Sequence, residues 1–492
     1  MIGAPLYDED FDPGEYRLRY ADLNGWSDAG LALHWIDSGR AEGRVGRLSD
    51  EERAALVPSR FIASEYRARY PELPVADDAQ AVEHFLAYGR AEGRRGRLQA
   101  TQLDYPTTHR RGDRPSVLLV VHEATRTGVP ILTWNVARSL SATHDVVVLL
   151  MSRGVLVDAF RELAADVVVL ADGMPDLPGE VRAAVERIRR VYEPAVAIGM
   201  SAVVFAVAEA ILDAGIPLVQ CFHEAPPPPH SPRAVIDAVG RVAREADAIV
   251  FSAELVRSRY VEAYGEDILA RAALLRQGAT ERPGGEPLAA TAPEVPDGPI
   301  VLGVGSVTAR KGPEFFVQAA AYARTRGIAA DARFVWLGAR DPGTPVEFEL
   351  ALRDQIAASG LAGAVELAGE VPDVDAYYRA ASAVLLTSRF DPLPNAALDA
   401  FAADVPVVCF AGASGVAEIL AADPDTRGLV VPYLDTDAAA RLLVELLDDP
   451  DAARAAGRAG HRVLERDCLA VDDYAAALLA LEADARVGLP RM

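Results

Sequence analysis

Residues 384–400 read VLLTSRFDPLPNAALDA, and the architecture turns on how that stretch folds. Val384 to Leu386 is a short apolar run of the kind that fills a buried strand, and Pro392 and Pro394 exclude regular structure just after it. Asp391 therefore belongs to the loop at the strand's carboxyl end. Pro394 or Asn395 then opens a helix, with Asp399 about one turn further on. The unpaired N–H groups and positive dipole end of that helix face the same crevice as the two acids. A carboxylate accepts hydrogen bonds and donates none, so the pair suits the vicinal hydroxyls of a hexose and a ribose, leaving the helix end for phosphate. The competing reading is structural: a loop aspartate, and a helix-start aspartate favoured only by the dipole.

Upstream, residues 301–320 read VLGVGSVTARKGPEFFVQAA. A glycine-rich strand exit, Arg310-Lys311-Gly312 and a helix from about Pro313 put a cation at a helix N-terminus, which is a phosphate site by geometry and charge. The glycine and Ser/Thr spacing is not that of a P-loop. Lys311 is the only lysine among 49 Lys and Arg residues. It is either an accident of composition or a place where a compact ammonium serves and a guanidinium fork does not.

Short β-branched runs alternate with helical segments on both sides of these motifs. In the first half they fall at 117–121, 146–150, 167–170, 195–199, 216–222 and 248–251; in the second at 300–304, 333–338, 364–369, 383–387, 405–410 and 428–432. This alternation predicts an α/β protein with two doubly wound, Rossmann-like parallel lobes. Residues 279–298, rich in Pro, Gly, Glu and Ala without periodicity, are the expected linker. In the first lobe Gly128 sits in the turn before a helix from about Pro130. His223 and Glu224 close the fifth strand, at the edge where such sheets bind ligands, followed by a stiff APPPPHSP loop at 225–232.

Residues 1 to about 100 repeat with a period of 50: Phe11, Tyr16, Tyr20, Leu23, His34 and the run GRAEGR at 39–44 recur as Phe61, Tyr66, Tyr70, Leu73, His84 and GRAEGR at 89–94. Each unit reads as two short helices, the second ending at the glycine of Gly-Arg. Two copies are few for a solenoid, so a compact helical pair docked on the next domain is expected. His34 and His84 are read as packing residues rather than ligands. The clusters Arg40, Arg44, Arg47 and Arg90, Arg94, Arg97 are either solvated helix-end cations or a surface for a phosphate-containing acceptor. The expected segments are 1–105, 106–285 on the acceptor side, 286–465 on the nucleotide side, and a C-terminal helix within 466–492.

Composition bounds the rest. The chain has 492 residues, 51% of them hydrophobic, enough for several cores. A net charge of −23 makes nucleic acid a poor partner. Cys221, Cys409 and Cys468 are too scattered for a disulfide framework or zinc site. With a polar, acidic N-terminus lacking a signal-peptide core, they point to the cytoplasm. The most apolar stretch, 195–212, is interrupted by Gly199, Ser201 and Glu209, so membrane contact is at most peripheral.

Residues 116 to about 485 resemble the retaining glycosyltransferases of the GT-B fold, in particular family 4, whose signature is an acid, seven residues and a second acid, the spacing of Asp391 and Asp399. SRFDPLPNAALDA is similar to that family's S-x-x-E-G-F-P-x-x-x-L-E-A, and GSVTARKG to its G-R-L-x-x-x-K-G. The repeats resemble helical modules fused to some bacterial polysaccharide transferases. The resemblance implies a hexosyltransferase that uses a nucleoside diphosphate-sugar, needs no metal or cofactor, and has a glycan or lipid-linked acceptor; oligomerisation stays open. Lys311 would bind the diphosphate, Asp391 the donor sugar and Asp399 the ribose, with Gly128 and His223 on the opposite wall. Ser306, Arg310, Leu393, Pro394 and Asn395 would complete the donor pocket, and Lys311, Asp391 and His223 would carry catalysis. Two positions depart from the pattern: Ser306 stands where arginine is expected, and both acids are Asp where Glu is usual. Those departures support the alternative, a degenerate GT-B scaffold or glycan-binding protein acting through its repeats. A pyridoxal-phosphate phosphorylase is disfavoured because its Schiff base needs a lysine, and Lys311 in a phosphate turn is badly placed for one.

Overall fold

The computed structural model describes residues 10–487, except 24, 25, 50, 51, 53–60, 91, 97–102, 105–113, 172–176, 284–294, 342 and 372. Arg97 and most of the expected linker thus lie outside the described residues. The chain divides into two compact units, one of Met1–Tyr105, Val169–Glu193 and Asp213–Gly215, the other of Pro106–Val168, Pro194–Leu212 and Ile216–Met492.

In the smaller unit the 50-residue period becomes one arrangement built twice. Helix Pro13–Arg19 packs against helix Asp28–His34, which runs on into a π-helical turn at Trp35–Gly39; Ala63–Arg69, Asp78–His84 and Phe85–Gly89 repeat the pattern. The Tyr16 hydroxyl lies 3.0 Å from His34 Nδ1, and the Tyr66 hydroxyl 3.0 Å from His84 Nδ1. A Cβ at Gly39 or Gly89 would sit 2.2 or 2.4 Å from the same hydroxyls, so this contact accounts for the glycine in each copy. The histidines are therefore partners of buried tyrosines. Arg44 is ion-paired with Asp22 and Glu42 and lies over the Tyr20 ring; Arg94 repeats this with Glu72, Glu92 and Tyr70. The charges of Arg44 and Arg94 are thus neutralised locally. Helix Ala63–Arg69 packs on helix Pro178–Tyr192 of the same unit through two buried ion pairs, Glu65 to Arg187 at 2.8 Å and Arg69 to Glu180 at 2.9 Å. A short strand β1 (Leu103–Asp104) runs antiparallel to Val169 and Leu170 there.

The larger unit holds two sheets, except that the last two residues of one strand, Val169 and Leu170, count with the smaller unit. The first contains β2 (Ser116–Val121), β3 (Asp145–Leu150), β4 (Asp166–Leu170), β5 (Val196–Gly199), β6 (Leu218–Phe222), β7 (Ala248–Phe251) and β8 (Ala272–Leu274), in the order β4-β3-β2-β5-β6-β7-β8. The second contains β9 (Ile300–Val304), β10 (Arg333–Leu337), β11 (Val365–Gly369), β12 (Ala381–Leu386), β13 (Val407–Phe410) and β14 (Val430–Val431), in the order β11-β10-β9-β12-β13-β14. The second sheet is parallel throughout. The β-branched and aliphatic runs of its inner strands β9, β10, β12 and β13 are largely buried, as strands covered by helices on both faces must be. In each lobe the winding reverses beside the first strand, between β2 and β5 and between β9 and β12. Crevices open at the carboxyl ends of strands at such switch points.

The lobes are joined twice. Gly278 N donates to Leu469 O at 2.7 Å and Leu469 N to Arg276 O at 2.8 Å, so the outgoing and returning segments run side by side. The helix after this second crossing, expected near 470–485, spans Val471–Val487 and packs on helix Gly128–Leu140 and against β5, β6 and β7 of the first lobe. Among the described residues no helix is long and apolar enough to cross a membrane.

Candidate active site

Two loops meet at the switch point of the second sheet, one leaving β9 and one leaving β12. Gly312 starts helix Pro313–Thr325 with φ +67°, and a Cβ there would lie 2.3 Å from Thr387 O, so both its backbone angle and the close approach call for glycine. Thr387 Oγ1 donates to Lys311 O at 3.2 Å and Arg389 N to Arg310 O at 2.9 Å, zipping the loops together. The Lys311 stem crosses Gly305, where a Cβ would be 3.0 Å from Lys311 Cδ.

Lys311 Nζ is thereby brought 2.5 Å from Asp391 Oδ2, with Arg310 Nη1 at 3.2 Å from Oδ1 and Ser388 Oγ donating to Oδ2 at 3.1 Å. Asp391 N donates to Ala413 O at 2.8 Å, fixing the acid to a third loop. Burial works to raise the Asp391 carboxyl, but the Lys311 and Arg310 charges outweigh it and hold the group below the usual carboxylate range. The sequence placed Lys311 and Asp391 in separate loops; the structure joins them in one charged network. Ser306 is half-buried on the same loop and adds no charge.

Helix Asn395–Ala402 begins after Pro394 with no side-chain cap, so its first N–H groups are not taken by a side chain. Leu393, expected in the donor pocket, has its side chain in the hydrophobic core at 7% exposure. The side chain thus anchors the turn out of β12, and the main chain of Leu393 is the part with hydrogen bonds to offer. Asn395 Nδ2 donates to Gly128 O at 3.4 Å, bringing together two predicted residues from opposite lobes. Asp399 lies one turn into the helix, paired with Arg282 Nη2 at 2.5 Å; the other arm of that guanidinium is paired with Asp375. Burial pushes the Asp399 carboxyl up to about 7, with Arg282 opposing the rise and Asp375 adding to it.

On the first lobe, His223 follows β6, and burial pushes its ring down to about 4. Its Nε2 is buried with no hydrogen-bond partner among the described residues. Beside it, Glu224 accepts from Ser201 Oγ at 2.8 Å and Ala202 N at 3.0 Å; burial raises this carboxyl, opposed first by these hydrogen bonds and more weakly by the Arg310 charge. Arg310 thus acts on acids of both lobes. Glu418, from helix Gly415–Ala422 of the second lobe, accepts from Glu254 N at 3.0 Å and Leu255 N at 2.7 Å, capping helix Glu254–Tyr264 of the first. Sequence reasoning missed Arg282 and Glu418. Arg282 stands in a segment without periodicity, and the partners of Glu418 are main-chain groups, which leave no mark in a sequence.

Two Rossmann-like lobes with their crevice-forming loops in this arrangement define the GT-B fold. A family profile described as glycosyl transferases group 1 matches residues 298–449, within the second lobe. Among solved structures, HepE of Anabaena in complex with UDP superposes with a TM-score of 0.60 at 15% identity, over 76% of this chain and 100% of that one. Sucrose-phosphate synthase from Thermosynechococcus elongatus gives 0.59 at 16% identity, over 76% and 100%. The alpha-D-kanosaminyltransferase of Streptomyces kanamyceticus is 32% identical over 157 residues, 32% of this chain. The match spans only 38% of that relative's length.

Proposed function

We propose that the chain is a retaining, metal-independent glycosyltransferase of the family 4 kind, moving a hexose from a nucleoside diphosphate-sugar to a glycan or lipid-linked acceptor. The observation that carries this reading is the network of Lys311, Arg310 and Asp391 at the switch point, beside the uncapped start of helix Asn395–Ala402. The likeness of residues 298–449 to glycosyl transferases group 1 supports it, as does the UDP held by the Anabaena neighbour.

In this reading the cations and the helix N–H groups hold the diphosphate, and Asp391 takes hydroxyls of the sugar. The bond from the anomeric carbon to the phosphate oxygen breaks, the acceptor oxygen bonds to that carbon on the same face, and the acceptor proton passes to the departing phosphate. No protein nucleophile is needed. The catalytic task is to stabilise charge on the leaving group, and Lys311 and Arg310 are set for it without a metal ion. His223, neutral at pH 7 and unpartnered at Nε2, is the side chain of the opposite wall suited to bind a sugar hydroxyl. The 50-residue repeats are assigned to acceptor positioning.

The test is a thermal-shift panel of UDP, GDP, dTDP and ADP, followed by hydrolysis of the matching sugar nucleotide without acceptor. One diphosphate should raise the melting temperature, and its sugar conjugate should turn over slowly. Absence of both would favour the scaffold reading.

A further inference from the structure

We propose that Arg282 is a positioning residue for the donor's ribose: by pairing with one oxygen of Asp399 it orients the other and ties that acid to the first lobe. The inference rests on the donor-site reading above and concerns a residue of the inter-lobe segment that no motif includes.

The geometry is a chain of fixed contacts. Asn135, fully buried on helix Gly128–Leu140, clamps the main chain of Glu281 from both sides: Nδ2 donates to Glu281 O at 2.7 Å, and Glu281 N donates to Oδ1 at 3.1 Å. Arg138 of the same helix pairs with the Glu281 carboxylate at 2.5 Å. The next residue, Arg282, reaches into the second lobe, pairing with Asp399 Oδ2 and Asp375 while its guanidinium lies 5.9 Å from the centre of the Tyr378 ring. Asp399 Oδ1 has no hydrogen bond among the described residues and is left for ribose hydroxyls. An aspartate is one methylene shorter than the glutamate usual here, and an arginine fixed on its far oxygen holds the short acid in one orientation.

Charge makes the same assignment. The groups acting on Asp399 are Arg282 from the inter-lobe segment and Asp375 from helix Val374–Ala380, with the Tyr378 hydroxyl of that helix buried nearby. Arg282 is the sole cation of the set. An ionised acid accepts from both ribose hydroxyls, whereas a protonated one gives up part of that capacity. With Arg282 gone, burial and Asp375 act on Asp399 unopposed, and the acid stays protonated to higher pH.

The experiment measures affinity for UDP, or whichever of the four diphosphates binds, from pH 6 to pH 9.5 in wild type, Arg282→Gln, Arg282→Lys and Asp399→Asn. Arg282→Gln should bind about tenfold more weakly near pH 7, one pK unit's worth, and regain most of that loss by pH 9.5. Arg282→Lys keeps a charge and should follow the wild-type profile more closely. A loss in Arg282→Gln that is equal at every pH, or none at all, overturns the inference. If Arg282→Gln does not fold, Arg282→Lys decides: binding as weak as that of Asp399→Asn at every pH counts against a role for the charge. Wild-type affinity in Asp399→Asn at every pH would instead remove the ribose assignment, whatever Arg282 does, and failure of all four diphosphates to bind would remove both.

Discussion

Lys311 neutralises Asp391 across 2.5 Å, and in the proposed reaction it is the ammonium that meets the charge growing on the departing diphosphate. Replacing it with alanine should lower turnover by roughly 100- to 1,000-fold at saturating donor, the range for losing one preorganised electrostatic contact. Lys311→Arg should recover only part, because a planar fork has to share the space beside Arg310. Wild-type turnover in both variants would remove the phosphate assignment. Asp399 makes a second prediction, through stability. Its carboxyl is pushed up to about 7, above the ordinary aspartate value, so between about pH 4 and pH 7 the native protein holds a proton that the unfolded chain has lost. Its contribution therefore falls as pH rises through that window. Asp399→Asn should melt higher than wild type at pH 8 and close to it at pH 4.5; the same difference at both pH values would contradict this. The spacing of Asp391 and Asp399 was legible in the sequence because a strand, a proline turn and a helix start fix their positions locally. Their partners were not. The pair to Asp391 joins loops 80 residues apart and the pair to Asp399 spans 117, distances over which sequence pattern carries no signal.

Helices and strands were legible where their periodicity was strong. All the β-branched runs became strands, whereas β8, with the sequence Ala-Ala-Leu, gave no strand signal, since it has no β-branched or aromatic residue. Helix Glu254–Tyr264 illustrates another limit. Its N-cap is Ala253, which has no side-chain oxygen to offer, and the cap comes from Glu418 in the other lobe. Glu418→Ala should therefore cost about 1 kcal/mol or somewhat more, the usual price of a lost cap, and loosen the lobes against each other. Denaturant unfolding measures the first, and hydrogen exchange at Glu254 and Leu255 the second. Unchanged protection at those amides would show that the cap contributes nothing. Glu418→Gln keeps one acceptor oxygen and puts an NH2 donor in place of the other, so it should retain protection at one of the two amides at most.

At the scale of the whole molecule, the repeats were readable as a unit, but what they pack against was not. Helix Pro178–Tyr192 lies within the segment assigned to the first lobe by its alternation, yet it forms one compact unit with the repeats. Glu65 is completely buried against Arg187. Glu65→Ala would leave a guanidinium without its main partner in a largely dry setting, at a cost of about 3–5 kcal/mol. Removing residues 1–100 should, for the same reason, lower the melting temperature of what remains, besides impairing transfer to a long acceptor more than donor hydrolysis. A truncated protein as heat-stable as the full chain would show that this contact is dispensable.

The return of the chain across the lobes has a consequence for how the protein is made. Tyr474, Ala475 and Leu478 of the helix Val471–Val487 are fully buried against the first lobe. During synthesis the strands of that lobe leave the ribosome hundreds of residues before the helix that covers them, so the lobe begun first is completed last. Until then its apolar surface over β5, β6 and β7 is open to chaperones and to neighbouring nascent chains.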